Sequence, residues 1–362
     1  MNHGIDATAG LLAMRSKGHC MDPAEVARWD EFVLGHGGHI FQTYAWGQAS
    51  RYLGWEPQYL IWEDQSGQWR ALATVLKRSR LLGALNMCYV PRGPVVLTPD
   101  SIVWKAVAKG LAGFTRDLRS ILIRMNPLIL PSEDVDSILQ ECGWERATTR
   151  EMHVRTFRLT LPSNDDGLWG GLEYRTQKAI RKAERAGVKV TKEVDAGALN
   201  EFLSLYEATA HRLNISSQNS KFIQAVWQQF SVKGKAHLFL ARIDGVAISG
   251  LFLFQYGDTM EEMWIGWDDR VRERRPNQYL HWQILRWCLQ NGIRTYDFGG
   301  VPPDAALDHG VFFYKSGFGA QLVDLIGEYD HFPSAWGRFV WEDIRPIVNR
   351  SKYLAGVKLF LR

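Results

Sequence analysis

One order of predicted elements occurs twice along this chain, and that repetition constrains the fold more than any single motif. In the first copy a strand at Gln58–Trp62 reaches a turn at Gln65-Ser66-Gly67. Strands at Trp69–Lys77 and Asn86–Val90 follow, then a helix over Ser101–Leu118, a strand at Ser120–Met125 and a helix near Glu133–Glu141. The copy closes on Cys142-Gly143-Trp144. The second copy runs Ala236–Arg242, a turn at Ile243-Asp244-Gly245, strands Val246–Tyr256 and Thr259–Gly266, and a helix over Asn277–Gln290 stopped by Asn291-Gly292. A strand Thr295–Phe298 and a short helix lead to Ser316-Gly317-Phe318, the same small–Gly–aromatic close. Each copy is preceded by two helices, Pro23–Leu34 and Gln42–Leu53 in one, Ala198–Arg212 and Ser220–Phe230 in the other.

The expected class is α/β with mixed sheets, in two tandem domains. A chain of 362 residues exceeds what one core usually supports. The expected boundaries are a flexible tail at 1–20, a first domain at 21–152, a second at 153–320, and a segment 321–362 packing back on the first. Met14 and Met21 are alternative starts. The plan of hairpin, splayed strand and flanking helices resembles the acyl-CoA N-acetyltransferase (GNAT) fold, in which two neighbouring strands open a V where an acyl donor meets an amine.

Composition narrows the function classes. Forty-three basic against 39 acidic residues give a net charge of +4, too mild to indicate nucleic-acid binding by itself. Cys20, Cys88, Cys142 and Cys288 are far apart, without zinc or disulfide spacing, which fits a reduced compartment. Apolar runs are too short to span a bilayer, so the expectation is a cytoplasmic protein. The histidines show no metal-ligand spacing, and no G-x-S-x-G nucleophile elbow occurs; neither metal nor cofactor is expected.

Four stretches carry chemistry. In residues 310–319, Gly-Val-Phe-Phe-Tyr-Lys-Ser-Gly-Phe-Gly, Lys315 lies among aromatics just before a Gly-x-Gly break. A cation in an apolar wall suits an anion that forms transiently; a lysine snorkelling over Phe313 and Phe318 is the alternative. The strand Tyr296-Asp297-Phe298-Gly299-Gly300 precedes it, and Asp297 either orients a substrate amine or caps the following loop. The basic segment Tyr174–Lys192 places Arg175, Lys178, Lys182 and Arg185 on one helix face, suited to phosphates or to solvent. In Tyr89–Val95, Arg92 lies between Pro91 and Gly93-Pro94 and offers a planar fork for a phosphate or marks an ordinary turn. Arg274-Arg275-Pro276-Asn277-Gln278 falls where acetyltransferases cradle a pyrophosphate, but it lacks the glycines that the cradle needs. An acyl carrier other than coenzyme A is expected.

Taken in order, Phe41-Gln42-Thr43-Tyr44-Ala45-Trp46-Gly47, Tyr89–Val95, the basic helix, Tyr296–Gly300 and Phe313–Gly319 resemble the Fem-type (FemA, FemB and FemX) peptidoglycan aminoacyltransferases over about residues 38–330. The compact form, without a coiled-coil arm, is implied. The resemblance implies transfer of an amino acid from aminoacyl-tRNA to a side-chain amine of the peptidoglycan precursor, as UDP-MurNAc-peptide or lipid II. It implies Tyr314 and Lys315 at the reaction centre, Tyr314 standing where the family usually has Phe; Asp297 is a candidate base from its own segment. It implies a substrate-binding cation at Arg51 and another at Arg212 or Lys221; Arg92 and Trp264 are expected substrate contacts as well, and Arg175, Lys178, Lys182 and Arg185 are the expected tRNA contacts. A monomer is expected, contacting the inner face of the plasma membrane. The tail Trp341–Arg362 is expected to pack on the first domain, or else to rest on anionic lipid. Competing readings are an acyl-CoA-type N-acyltransferase on a sugar- or lipid-linked amine, and a non-catalytic precursor- or tRNA-binding protein.

Overall fold

The computed structural model describes residues 12–17, 20–80, 85–98, 100–301 and 310–347. The chain divides into two units, residues 1–152 with 326–362, and residues 153–325.

The first unit is built on a mixed sheet in the strand order Leu12–Ser16, Glu56–Asp64, Trp69–Arg80, Leu85–Val90, Ser120–Met125, Tyr329–His331, Glu145–Arg146. Its central hairpin is apolar on both faces because both faces are covered. Leu60, Trp62, Ala71 and Ala73 pack against Trp104, Val107 and Leu111 of the helix Ser101–Asp117. Tyr59, Ile61 and Leu72 pack against Trp29 and Val33 of the helix Pro23–Gly35. Asp100 and Asp22 start these helices by accepting backbone N–H groups. The stretch expected as one helix at Gln42–Leu53 is broken into short turns, with the Thr43 side chain capping Tyr44–Ala49.

The second unit repeats the plan with the order Gln321–Asp324, Arg155–Thr160, Thr295–Gly300, Thr259–Trp267, Val246–Tyr256, Ala236–Ile243, Lys189–Glu193. One face packs on the helices Tyr174–Arg185 and Pro276–Gln290, through Ile180, Ala183, Leu280 and Ile284. The other meets the helices Ala196–Arg212 and Ser220–Phe230, where Phe202, Phe222 and Trp227 pack edge-on or tilted against Phe252 and Trp264. Lys189 and Lys192 lie on an edge strand rather than on the basic helix, which ends at Arg185 before Gly187 at φ 77°.

The units differ where the V is expected. In the first, the parallel strands Leu85–Val90 and Ser120–Met125 stay paired from Asn86↔Ser120 to Val90↔Met125, with one register shift between Asn86 and Met87. In the second, the parallel pair holds only from Thr259↔Thr295 to Glu261↔Asp297 and then parts. Gly299, at φ 72°, turns the backbone just beyond the last paired residue.

Two expected boundaries are corrected. Leu12–Ser16 is a paired strand, in register with Leu60–Asp64, so the tail does not extend to residue 20; residues 1–11 lie outside the described set. Gln321–Asp324 pairs with Arg155–Arg158, so the second unit runs to Leu325 rather than to 320. Of the tail 341–362, only Trp341–Ile347 falls within the described residues. Trp341 is buried beside Met87 and Leu122 of the first unit.

Candidate active site

The parted strands of the second unit receive a short helix, Gly310–Ser316, that carries Tyr314 and Lys315. Lys315 is 9% exposed, and its Nζ donates to the carbonyls of Gly299 and Gly300 at 2.8 Å each. An ammonium has three donors, so these bonds leave one for another acceptor. Burial pulls the Lys315 pKa down, while Glu262 and Asp297 hold it up. The chain approaches closely here: a Cβ on Gly317 would lie 2.5 Å from Thr176 Oγ1 of the basic helix.

Asp297 is placed under this arrangement rather than in a cleft. It is 2% exposed and accepts from Thr156 Oγ1, from Arg158 Nε at 2.8 Å and from the Gly299 N–H at 2.9 Å. Burial, then the neighbouring Glu261 carboxylate, raises its pKa, against Arg158. Of the two roles open in the sequence, capping the loop is the one the geometry shows. The aspartate fixes the Gly299 turn that presents two carbonyls to Lys315.

Tyr314 faces a cavity of about 510 Å³ whose walls include Arg175, Lys178, Lys182, Arg275, Gln278 and Phe313. The basic helix therefore supplies one wall and the lysine-bearing segment the other. Burying Thr176, Ile180 and Ala183 turns Arg175, Lys178 and Lys182 toward the cavity. Arg175 also stitches the walls together: it donates to the Phe313 carbonyl at 2.7 Å and lies 4.8 Å from the Phe313 ring centre. Arg185 is not among the lining residues and donates to Arg181 O within its own helix.

Sequence reasoning missed the residues behind Tyr314. Its hydroxyl is 2.9 Å from His281 Nδ1, and His281 Nε2 is 2.7 Å from Glu262 Oε1. His281 Nδ1 is also 2.8 Å from the Asn277 carbonyl, and the ring stacks on Phe298. Burial, with Glu262 adding, holds the Tyr314 phenol well above its ordinary pKa. Asn277 and His281, four residues apart on one face of the helix, were the available signal. Arg275 was noted only as a failed pyrophosphate cradle. It adopts φ 57° ahead of Pro276 and points a fourth cation at the cavity.

The other expected substrate contacts lie elsewhere. Arg92 is 2% exposed and donates to Asn126 Oδ1 at 2.9 Å; buried inside the first unit, it cannot meet a phosphate from solution. Its loop is clasped by Gln42, which donates to Pro91 O at 2.6 Å and accepts from Thr74 N. Trp264 is a core residue among Phe222, Phe252 and Phe254, not a cavity wall. Arg51 is exposed on the first unit and donates to Gln48. Arg212 is exposed, stacks on Trp267 and donates to its carbonyl. Lys221 is exposed in the first turn of a helix capped by Asn219.

Known proteins match both units. The FemAB family profile matches residues 25–141, and that of the acetyltransferase (GNAT) domain matches residues 172–316. The lipid II:glycine glycyltransferases of Staphylococcus epidermidis and Staphylococcus aureus are each 20% identical, over 91% of this chain and 97% of theirs. A solved structure of FemX superposes with a TM-score of 0.79 at 18% identity, over 91% of this chain and 99% of that one. A tandem GNAT protein from the clavulanic acid pathway gives 0.59 at 12% identity, over 89% and 99%. The fold is that of two tandem GNAT-like domains, and the matches support an aminoacyltransferase. Within that class, the chain is similar to the Fem-type aminoacyltransferases. Among the described residues, no helix is long and apolar enough to cross a membrane.

Proposed function

We propose that this protein takes an amino acid from aminoacyl-tRNA and joins it to a side-chain amine of a peptidoglycan precursor peptide, with lipid II as the precursor. One observation carries the reading: a cavity lined by Arg175, Lys178, Lys182 and Arg275 together with Tyr314, whose neighbour in the chain is the buried Lys315. Four cations around one cavity suit the phosphates of an RNA end, and the contact would be strongly salt-dependent. The lipid II:glycine glycyltransferases matched over nearly their full length support the acceptor.

The reaction is aminolysis of an ester. Positioning the amine against the carbonyl and stabilising the tetrahedral oxyanion are the enzyme's tasks. Lys315 is suited to the second. Two of its three donors are fixed by the Gly299 and Gly300 carbonyls, which orient the third without reorganisation during the reaction. Its charge also lowers the pKa of an incoming ammonium by repulsion.

The test is incubation with charged total tRNA and, separately, UDP-linked and lipid-linked precursor, followed by mass measurement of the products. A precursor heavier by one aminoacyl residue, dependent on tRNA, is expected. A product formed from acetyl-CoA alone, or binding without product, would replace this reading with one of the two competing ones.

A further inference from the structure

Phe313 lines the cation-rich cavity and is 49% exposed. A single exposed phenylalanine on open surface means little. On the wall of a cavity that also carries four cations, it suits a ligand with a flat apolar face as well as negative charge. The ring is braced. The Arg175 guanidinium lies over it, 4.8 Å from the ring centre, and donates to the Phe313 carbonyl at 2.7 Å. Glu173 holds the same guanidinium, 2.8 Å from its Nε. Ring and guanidinium are therefore two planar stacking surfaces fixed against each other.

The other polar groups divide by what they can hold. Lys178 and Arg275 line the cavity and, among the described residues, have no ion-pair partner; Lys182 has Glu273 at 3.8 Å. Such cations suit phosphates, which fix position but carry no sequence. Gln278 also lines the cavity, from the first turn of the helix Pro276–Gln290, and among the described residues its amide makes no hydrogen bond. An amide offers an acceptor and two donors in one plane, which matches the edge of a base. Cations for phosphates, a braced ring for a base face and a free amide for a base edge are the parts of a site for an unpaired nucleotide. The volume of about 510 Å³ lies within the range of small-molecule sites, about 300–1,000 Å³, and has room for such a nucleotide but not for a duplex.

Resting on the tRNA-dependent transfer proposed above, we infer that the Arg175–Phe313 pair stacks the unpaired base at the 3′ end of the tRNA, with Gln278 on the edge of that base. The amino acid is carried on the ribose of a terminal adenosine, at a single-stranded end. Adenine presents a donor and an acceptor side by side, which a glutamine amide meets with two hydrogen bonds. Lys315 follows Phe313 by two residues in the same short helix, so a base held on the ring brings its own ester to the segment that carries the ammonium. The uridine of a UDP-linked precursor is the other source of a base joined to phosphates; lipid II, the precursor proposed above, has no base.

The probe is uncharged tRNA with 2-aminopurine in place of its terminal adenine, a base whose fluorescence is quenched by stacking. The wild-type protein should quench it. Phe313→Ala should abolish the quenching and weaken tRNA binding by about 5- to 150-fold. Its slope of log K against log salt should stay at the wild-type value, because the cations and the carbonyl that holds Arg175 remain. Phe313→Trp should restore quenching and affinity. Gln278→Ala should level the affinities for tRNAs ending in A, G, C or U, among which the wild type should favour A. Salt-dependent binding without quenching, or equal affinity in wild type and Phe313→Ala, would overturn the stacking and leave tRNA as the donor. Quenching relieved by UDP but not by AMP would give the cavity to a nucleotide-linked precursor instead. A wild type that binds no tRNA would overturn this inference together with the transfer function, whereas quenching without any aminoacyl product would support the site and count against the transfer.

Discussion

Lys315 stood out in the sequence as a lysine among five aromatic or apolar neighbours, and of the two readings left open the structure buries it rather than leaving it to snorkel. What holds it was not legible: two carbonyls, on a turn fixed by Asp297, depend on tertiary placement. Lys315→Met removes the donor proposed for the oxyanion, so kcat should fall by about 10²–10³, or roughly 3–4 kcal/mol, with precursor affinity retained. Unchanged kcat in a steady-state assay would remove Lys315 from the chemistry. The same change strips a partner from two buried carbonyls and should lower stability by roughly 1–3 kcal/mol, visible in thermal melting. Arg92 and Trp264 show where reading failed. Sequence does not reveal that an arginine in a Pro-Gly turn faces inward to Asn126, or that a strand tryptophan lands on the covered face of its sheet. His281 was passed over because a single histidine has no spacing to betray it; Glu262 and Tyr314 reach it from a strand and another helix.

The basic helix was read from its first residue, Tyr174, but in a segment that ran on to Lys192, whereas Gly187 marks where it stops after Arg185. Its partner was not, because the facing segment lies far along the chain. Lys178 and Lys182 both line the cavity, so replacing each with Ala should weaken tRNA binding and reduce the slope of log K against log salt by about 0.7–0.9 per residue. Arg185→Ala should leave that slope nearer to wild type, since Arg185 does not line the cavity. Filter binding over a salt series measures this, and equal slopes in all four proteins would separate the helix from phosphate contact. The junction of the helix with the lysine segment rests on Gly317. A methyl there would lie 2.5 Å from Thr176 Oγ1 and 3.2 Å from the carbonyls of Phe313 and Tyr314. Gly317→Ala should therefore push the segment off the helix, costing about 1–3 kcal/mol in stability and more activity than stability alone explains. Denaturant melts paired with the transfer assay would separate the two losses.

At the scale of the whole chain, the repeat hid a reciprocal exchange. After Glu145–Arg146 closes the first sheet, the next strand, Arg155–Thr160, enters the second; after Gln321–Asp324 closes the second, Tyr329–His331 enters the first. The repeat pattern suggested the return of the C-terminal segment but not its anchor, which is ionic and buried. Arg124 meets Asp330 through two 2.7 Å hydrogen bonds, and Glu328 accepts from the backbone N–H groups of Glu151 and Met152. Burial dominates at Glu328 and pushes its pKa from 4.5 up to about 7 despite these donors and Arg124. Between those values the folded protein holds a proton that the unfolded chain has lost, so stability falls as pH rises through this window. The penalty is absent below about pH 4.5 and complete above pH 7, reaching about 3 kcal/mol. In the other unit, His237 is lowered from 6.5 to about 4 by burial, then by Lys192, and it contributes the opposite slope over an overlapping range. The wild-type profile therefore mixes two signs, and the difference between variants isolates the anchor. Glu328→Gln forfeits one backbone acceptor, a cost that does not vary with pH, but it carries no charge to bury. Its stability relative to wild type should rise by about 3 kcal/mol between pH 4.5 and pH 8 in denaturant melts of the full chain. A difference that stays flat with pH would mean that Glu328 ionises in the folded protein as freely as it does in water.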